Sequence, residues 1–160
     1  MKNRKLSAML AGALAAAMLL MGCAAASSQA AASSSETKSV EDTAMKMKIE
    51  VNGSLFTATL ADNAAADALA DWVEEGPVTL ELSDYAGFEK VGPLGRSLPA
   101  SDSQTTTHAG DIVLYQGDQI VLFYGSNSWS YTRLGHIDDL TGWEDALGGG
   151  DVTVTLSLEG

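Results

Sequence analysis

The sequence predicts a mainly β domain: an antiparallel sheet closed into a barrel, with two short helices capping it. Three observations carry this expectation. Apolar residues recur at every second position in several short runs, turn-forming residues separate those runs, and only two stretches show helical spacing. Short alternating strands must hide one face and protect their edges. Closing the sheet removes the edges, and helices can cover the open ends. A sandwich with helices would satisfy the same pattern.

The elements follow in order from about residue 45. Met47, Ile49 and Val51 alternate with Lys46, Lys48 and Glu50; Asn52-Gly53 suits a tight hairpin turn, and Phe56, Ala58 and Leu60 resume the alternation. Asp62-Asn63 can cap a helix in which Leu69, Trp72 and Val73 share a face, and Gly76-Pro77 stops it. Val78, Leu80 and Leu82 form a third strand. Residues 84–108, rich in Gly, Pro, Ser and Thr, read as a long irregular connection. Strands are expected at 112–115 and 119–124 around Gln116-Gly117-Asp118, then at 131–137 after a Gly-Ser-Asn-Ser turn. Thr141-Gly142-Trp143-Glu144 has capping-box spacing for a short helix ending at Gly148-Gly149-Gly150, and Val152, Val154, Leu156 and Leu158 form the last strand.

The N-terminus has a different character. Lys2, Arg4 and Lys5 precede an apolar run from Leu6 to Met21, the layout of a secretory signal. The run spans sixteen positions, short of the roughly 20 that cross a bilayer. Leu20-Met21-Gly22-Cys23 closes the segment and resembles the lipobox of bacterial lipoproteins, although Met21 is a less usual residue there. An ordinary secretory signal would leave Cys23, the only cysteine, as an unexplained free thiol. The expectation is therefore a signal peptide over 1–22 and a lipid on Cys23 that anchors an exported protein at the cell membrane. Residues 23–44, mostly Ala, Ser, Thr and charged, bring too little apolar surface to offset their ordering entropy and read as a disordered tether. Its span is on the order of 25 Å. Residues 45–160 then make one domain.

Charge narrows the partners. Without residues 1–22 the chain keeps six basic against twenty-one acidic residues, a net charge of −15. Nucleic acid is excluded as a partner on this ground, and a monomer is expected. His108 and His136 stand apart with no His or Cys at ligand spacing, and the acids at 138–139 and 144–145 lack a calcium-loop pattern, so no metal is expected. No nucleophilic triad, phosphate-cradling loop or dinucleotide fingerprint is present, and no cofactor is expected.

Four strings succeed one another along the domain: Tyr85-Ala86-Gly87-Phe88-Glu89-Lys90, Ala109-Gly110-Asp111-Ile112, Leu122-Phe123-Tyr124-Gly125 and Leu134-Gly135-His136-Ile137-Asp138. With two strands and a helix before them and a helix and strand after, residues 46–158 resemble the cyclophilin-like proteins of bacteria. The resemblance implies a cyclophilin-like closed barrel. True cyclophilins isomerise the bond preceding proline, whose barrier is roughly 18–20 kcal/mol, with a bidentate Arg, a Gln, aromatic residues and a His. Phe88-Glu89-Lys90-Val91-Gly92-Pro93 best matches their Phe-His-Arg-Val-Ile-Pro string and places Lys90 at the Arg, without its planar fork. Leu94-Gly95-Arg96-Ser97 offers no Gln, Phe123 or Tyr124 takes the aromatic position, and the His position falls near Tyr131, with His136 beyond it.

The resemblance thus implies a preserved fold with altered chemistry, and no catalytic residue is assigned. The candidate groove comprises Lys90, Arg96, Phe123, Tyr124, Trp129 and Tyr131, expected to bind a peptide or small ligand. Aromatics beside a strand are more often core, and core packing is the favoured expectation for Trp129 as for Trp72 and Trp143. Two alternatives stand beside a non-catalytic binding module: a weak peptidyl-prolyl isomerase for exported proteins, and an accessory module for a flavodoxin-like redox partner that would bring its own flavin.

Overall fold

The computed structural model describes residues 44–158. The signal peptide, Cys23 and all of the tether except residue 44 lie outside the described residues. The elements are β1 (Lys46–Val51), β2 (Ser54–Leu60), α1 (Ala64–Glu74), β3 (Val78–Tyr85), β4 (Glu89–Pro93), β5 (Ser103–Thr106), β6 (Asp111–Tyr115), β7 (Gln119–Phe123), β8 (Ser128–Ile137), α2 (Trp143–Leu147) and β9 (Val152–Leu158).

Every strand pairing is antiparallel, in the order β2-β1-β9-β3-β4-β7-β6-β8, and β8 returns to β2. Eight strands therefore close into a barrel, and β5 lies outside the ring, paired to β8 alone. Closure is made by Ala58, Thr59 and Leu60 opposite Ile137, His136 and Gly135. At that seam a Cβ on Gly135 would stand 2.5 Å from the Thr59 carbonyl oxygen and 3.2 Å from the Leu60 Cα. Only a residue without a side chain lets the two backbones meet there.

The interior is filled by apolar residues on one face of most strands of the ring. Met47, Ile49 and Val51 on β1, Leu80 and Leu82 on β3, Ile112 and Leu114 on β6, Ile120 and Leu122 on β7, and Val152, Val154 and Leu156 on β9 belong to one buried cluster. In β8 a register irregularity opposite Ile112 and Val113 inserts an extra residue. It changes the strand's phase, so Leu134 and Ile137, three apart, both reach the interior. Both helices add their apolar faces to this core. Asn63 opens α1, its side chain accepting from the Ala65 and Ala66 amides at 3.0 Å, and Trp143 of α2 is buried with its indole N–H donating to the Phe123 carbonyl at 2.8 Å. No helix among the described residues is long and apolar enough to cross a membrane.

Three expectations need correction. The segment 84–108 is not an irregular connection throughout, since it contains β4 and β5. Its strands were hidden because β4 carries Glu89, Lys90 and Gly92, and β5 is wholly polar. The capping box does not form: Gly142, at φ 76°, is the N-cap with no side-chain bond, and the Thr141 amide instead donates to Asp139 Oδ1 at 2.9 Å. Trp129 is not core but 58 % exposed. The first part of β8 runs past the ring with only β5 beside it, so no barrel interior lies beneath that side chain.

Gly135→Ala is expected to lower stability by about 1–3 kcal/mol, the usual range for a group forced into a packed site. Urea midpoints read this directly, and an unchanged midpoint would show that the seam can open without loss.

Candidate functional site

A second apolar face lies on the outside of the barrel. Strands β6 and β7 carry apolar residues at consecutive positions, so while their even-numbered side chains fill the interior, Val113, Val121 and Phe123 point outward and are buried with Tyr131. Phe88, Val91 and Tyr115 pack against this outer cluster. The rings form a continuous run: Tyr85 to Phe88 at 6.0 Å, Phe88 to Phe123 at 6.5 Å, Phe123 to Tyr131 at 5.7 Å and Tyr131 to Tyr115 at 6.0 Å. Edge-to-face contacts predominate, the geometry that the ring quadrupole favours.

Above this floor opens a cleft of about 390 Å³, within the range of small-ligand sites. Glu89 and Val91 of β4, Gln119 and Val121 of β7, Tyr115 of β6 and Trp129 and Tyr131 of β8 line it, together with Tyr85 and Asn127. Tyr85 and Trp129 are each 58 % exposed and form the rim. The Asn127 side-chain amide donates to the Tyr131 hydroxyl at 3.1 Å. Burial, then the charge of Glu89, raises the Tyr131 pKa. The turn bearing Tyr85 is held against β7 by the Phe88 carbonyl, which accepts from the Tyr124 and Gly125 amides at 3.0 and 2.9 Å. A Cβ at Gly125 would sit 2.6 Å from the Phe88 Cβ, so this approach requires glycine.

Among the described residues Glu89 is the one charged side chain in the lining. It is 7 % exposed, and its Oε2 has no hydrogen-bond partner among the described residues. Burial pushes its pKa up to about 7. The adjacent Lys90 has the opposite phase and is completely buried. Its ammonium donates to Asp84 Oδ1 at 2.7 Å, the Gly148 carbonyl at 2.9 Å and the Gly150 carbonyl at 2.6 Å, using all three protons. The Tyr124 hydroxyl also donates to Asp84, and the Tyr124 ring lies 5.1 Å from the ammonium. Lys90, then Tyr124, holds the Asp84 carboxyl below its ordinary range.

Of the groove residues expected from the sequence, Trp129 and Tyr131 line the cleft and Phe123 lies in its floor. Lys90 and Tyr124 do not: they join Asp84 in a separate cluster, because alternation along β4 turns Lys90 away from the face that Glu89 occupies. Arg96 is exposed, its guanidinium 4.2 Å from the ring of the half-buried Trp72. Glu89, Gln119, Tyr115 and Tyr85 were missed. A signal for the face was present in the unbroken run Ile120-Val121-Leu122-Phe123, which a strand with one wet face does not need. Among the described residues no group of three or more His, Cys, Asp or Glu is placed to hold a metal ion.

A family model described as the cyclophilin-like family matches residues 49–157. No curated protein matches the chain. Among solved structures, that of a hypothetical protein from Archaeoglobus fulgidus is similar at 15 % identity and a TM-score of 0.48, covering 72 % of this chain and 95 % of that one.

Two neighbouring substitutions on β4 are expected to act in opposite directions at pH 8. Lys90→Met leaves Asp84 and two carbonyls without their donor and should lower the urea midpoint. For Glu89 the folded pKa of about 7 exceeds the ordinary 4.5, so the folded state keeps a proton that the unfolded chain loses. Its contribution is fully present below about 4.5 and is lost as pH rises to about 7. Glu89→Gln should therefore stabilise at pH 8, by on the order of 2 kcal/mol, and have much less effect at pH 5. Urea unfolding of the three proteins at both pH values checks the signs, and equal effects of Glu89→Gln at the two would contradict the assignment.

Proposed function

The chain belongs to the cyclophilin-like family, and from that premise we propose a non-catalytic binding module, exported and lipid-anchored through Cys23, that takes a peptide segment or small ligand in its outer-face cleft. The observation that carries this reading is the phase of β4. Isomerases of the parent fold present a bidentate Arg to the substrate. Here the residues of that string that line the cleft are Glu89 and Val91, while Lys90 is enclosed elsewhere. An acid cannot donate to a substrate carbonyl when ionised, and it repels the electron density that an Arg would draw. The aromatic floor, the polar Gln119 and Asn127 and the volume support a ligand site.

Export and anchoring rest on the N-terminal sequence: a basic start, a short apolar run and Leu20-Met21-Gly22-Cys23. Several acyl chains, each methylene contributing about 0.8 kcal/mol, anchor a protein without a membrane-spanning helix. The acidic chain then keeps its distance from anionic lipid.

Titration with proline-containing peptides and cell-wall fragments is expected to move the amide NMR shifts of Val91, Gln119 and Val121 and to change fluorescence from Trp129, a change that Trp129→Phe removes. Unmoved shifts throughout would overturn the binding reading. A protease-coupled proline-peptide assay is expected to show no acceleration; acceleration that Tyr131→Phe abolishes would establish the isomerase reading instead. Cys23→Ser should shift the protein from the membrane to the soluble fraction, and retention at the membrane would refute the lipid anchor.

A further inference from the structure

The proposed binding role leaves open what kind of group the cleft holds, and the inference below rests on that role. Glu89 presents a physical anomaly. Its side chain is more than nine-tenths buried, yet Oε2 meets no donor among the described residues. Buried polar atoms in folded proteins almost always have partners, because an unmet one costs its full desolvation. The side chain belongs to the wall of an open cleft, and although Oε2 itself is shielded from solvent, a turn of the carboxyl about its last bond presents it to a donor on a bound molecule. Above about pH 7 the carboxyl is ionised and only accepts, which there restricts the ligand atom to a donor.

Three further observations select a positively charged donor. No basic side chain among the described residues lines the cleft, so none of them neutralises Glu89 from within. The phenols of Tyr85, Tyr115 and Tyr131 and the indole of Trp129 surround the same space, and ring faces attract ammonium and guanidinium groups. The mature chain carries a net charge of −15, which raises the local concentration of cations. A single carboxylate among aromatic rings suits an organic cation rather than a calcium-type ion, which requires about six to eight oxygen ligands.

We propose that the outer-face cleft recognises a protonated amine or guanidinium on an apolar stem, with Glu89 as its counter-ion and Tyr115, Trp129 and Tyr131 as its aromatic walls. The stem lies on Val91 and Val121, and the cleft admits a single side chain or a small molecule of similar size. Binding supplies the donor that Oε2 lacks, and removes the cost of its isolation.

The test uses N-acetyl-lysine N-methylamide, its uncharged norleucine counterpart and n-pentylamine, each titrated at pH 8 and followed by amide NMR shifts. The lysine compound is expected to bind saturably, shifting Val91, Gln119 and Val121, at least ten times more tightly than the norleucine compound. Glu89→Gln should abolish that preference, and Trp129→Ala should weaken binding of the lysine compound several-fold. Equal affinity of n-pentylamine assigns a free amine as the occupant; affinity ten-fold lower assigns a side chain borne on a peptide. Both outcomes support a cation site. Equal shifts from the lysine and norleucine compounds, or a lysine preference that survives Glu89→Gln, overturn the inference while leaving the binding role intact. Silence from all three probes also overturns it, and the binding role then stands or falls with the proline-peptide and cell-wall titrations.

Discussion

The Lys90 ammonium, enclosed by Asp84 and the carbonyls of Gly148 and Gly150, fixes the phase of β4, and the outer face of the barrel follows from that phase. A strand has two faces and its side chains alternate between them, so a slip of one residue exchanges them all. A buried ammonium with three acceptors at hydrogen-bond distance cannot be turned outward without leaving Asp84 and both carbonyls unmatched. With Lys90 held on that side, Glu89 and Val91 must face the cleft. Barrel closure adds a second constraint, because β4 is bonded on both sides, to β3 and β7, and has no free edge along which to slide.

That arrangement divides the polar chemistry of one strand between two settings. On one side, Lys90, Asp84 and Tyr124 satisfy one another and tie β3 and β4 to the chain that follows α2. On the other, Glu89 stays unmatched at the edge of an aromatic floor. The first cluster is complete within the protein; the second is not, and the proposed ligand rests on that difference. The cleft has an aromatic lining, and its one charged group is opposite in sign to the cationic fork that prolyl isomerisation uses.

Much of the barrel was legible in the sequence because β1, β2, β3 and β9 alternate cleanly, and Asn52-Gly53 and Gly76-Pro77 mark their limits. β4 and β5 were not, since Glu89, Lys90, Ser103 and Gln104 give no apolar period; β4 owes its place to bonds on both flanks and β5 to pairing with β8. In the site, Trp129, Tyr131 and Phe123 were accessible to reasoning from residue type alone. Lys90 was misplaced because a string match aligns residue identities and not strand faces. Glu89 was overlooked because its environment is made by residues some thirty to forty positions away, on β7 and β8. The absent capping box has a local cause: Gly142 takes a left-handed conformation and becomes the cap itself.

The most direct measurement is a ¹³C NMR titration of the Glu89 side-chain carboxyl, with its resonance assigned by comparison with Glu89→Gln. The account predicts a midpoint of about 7, set by burial in the cleft wall. A midpoint near the ordinary 4.5 would place the carboxyl in water, and would contradict the strand phase on which the cleft depends.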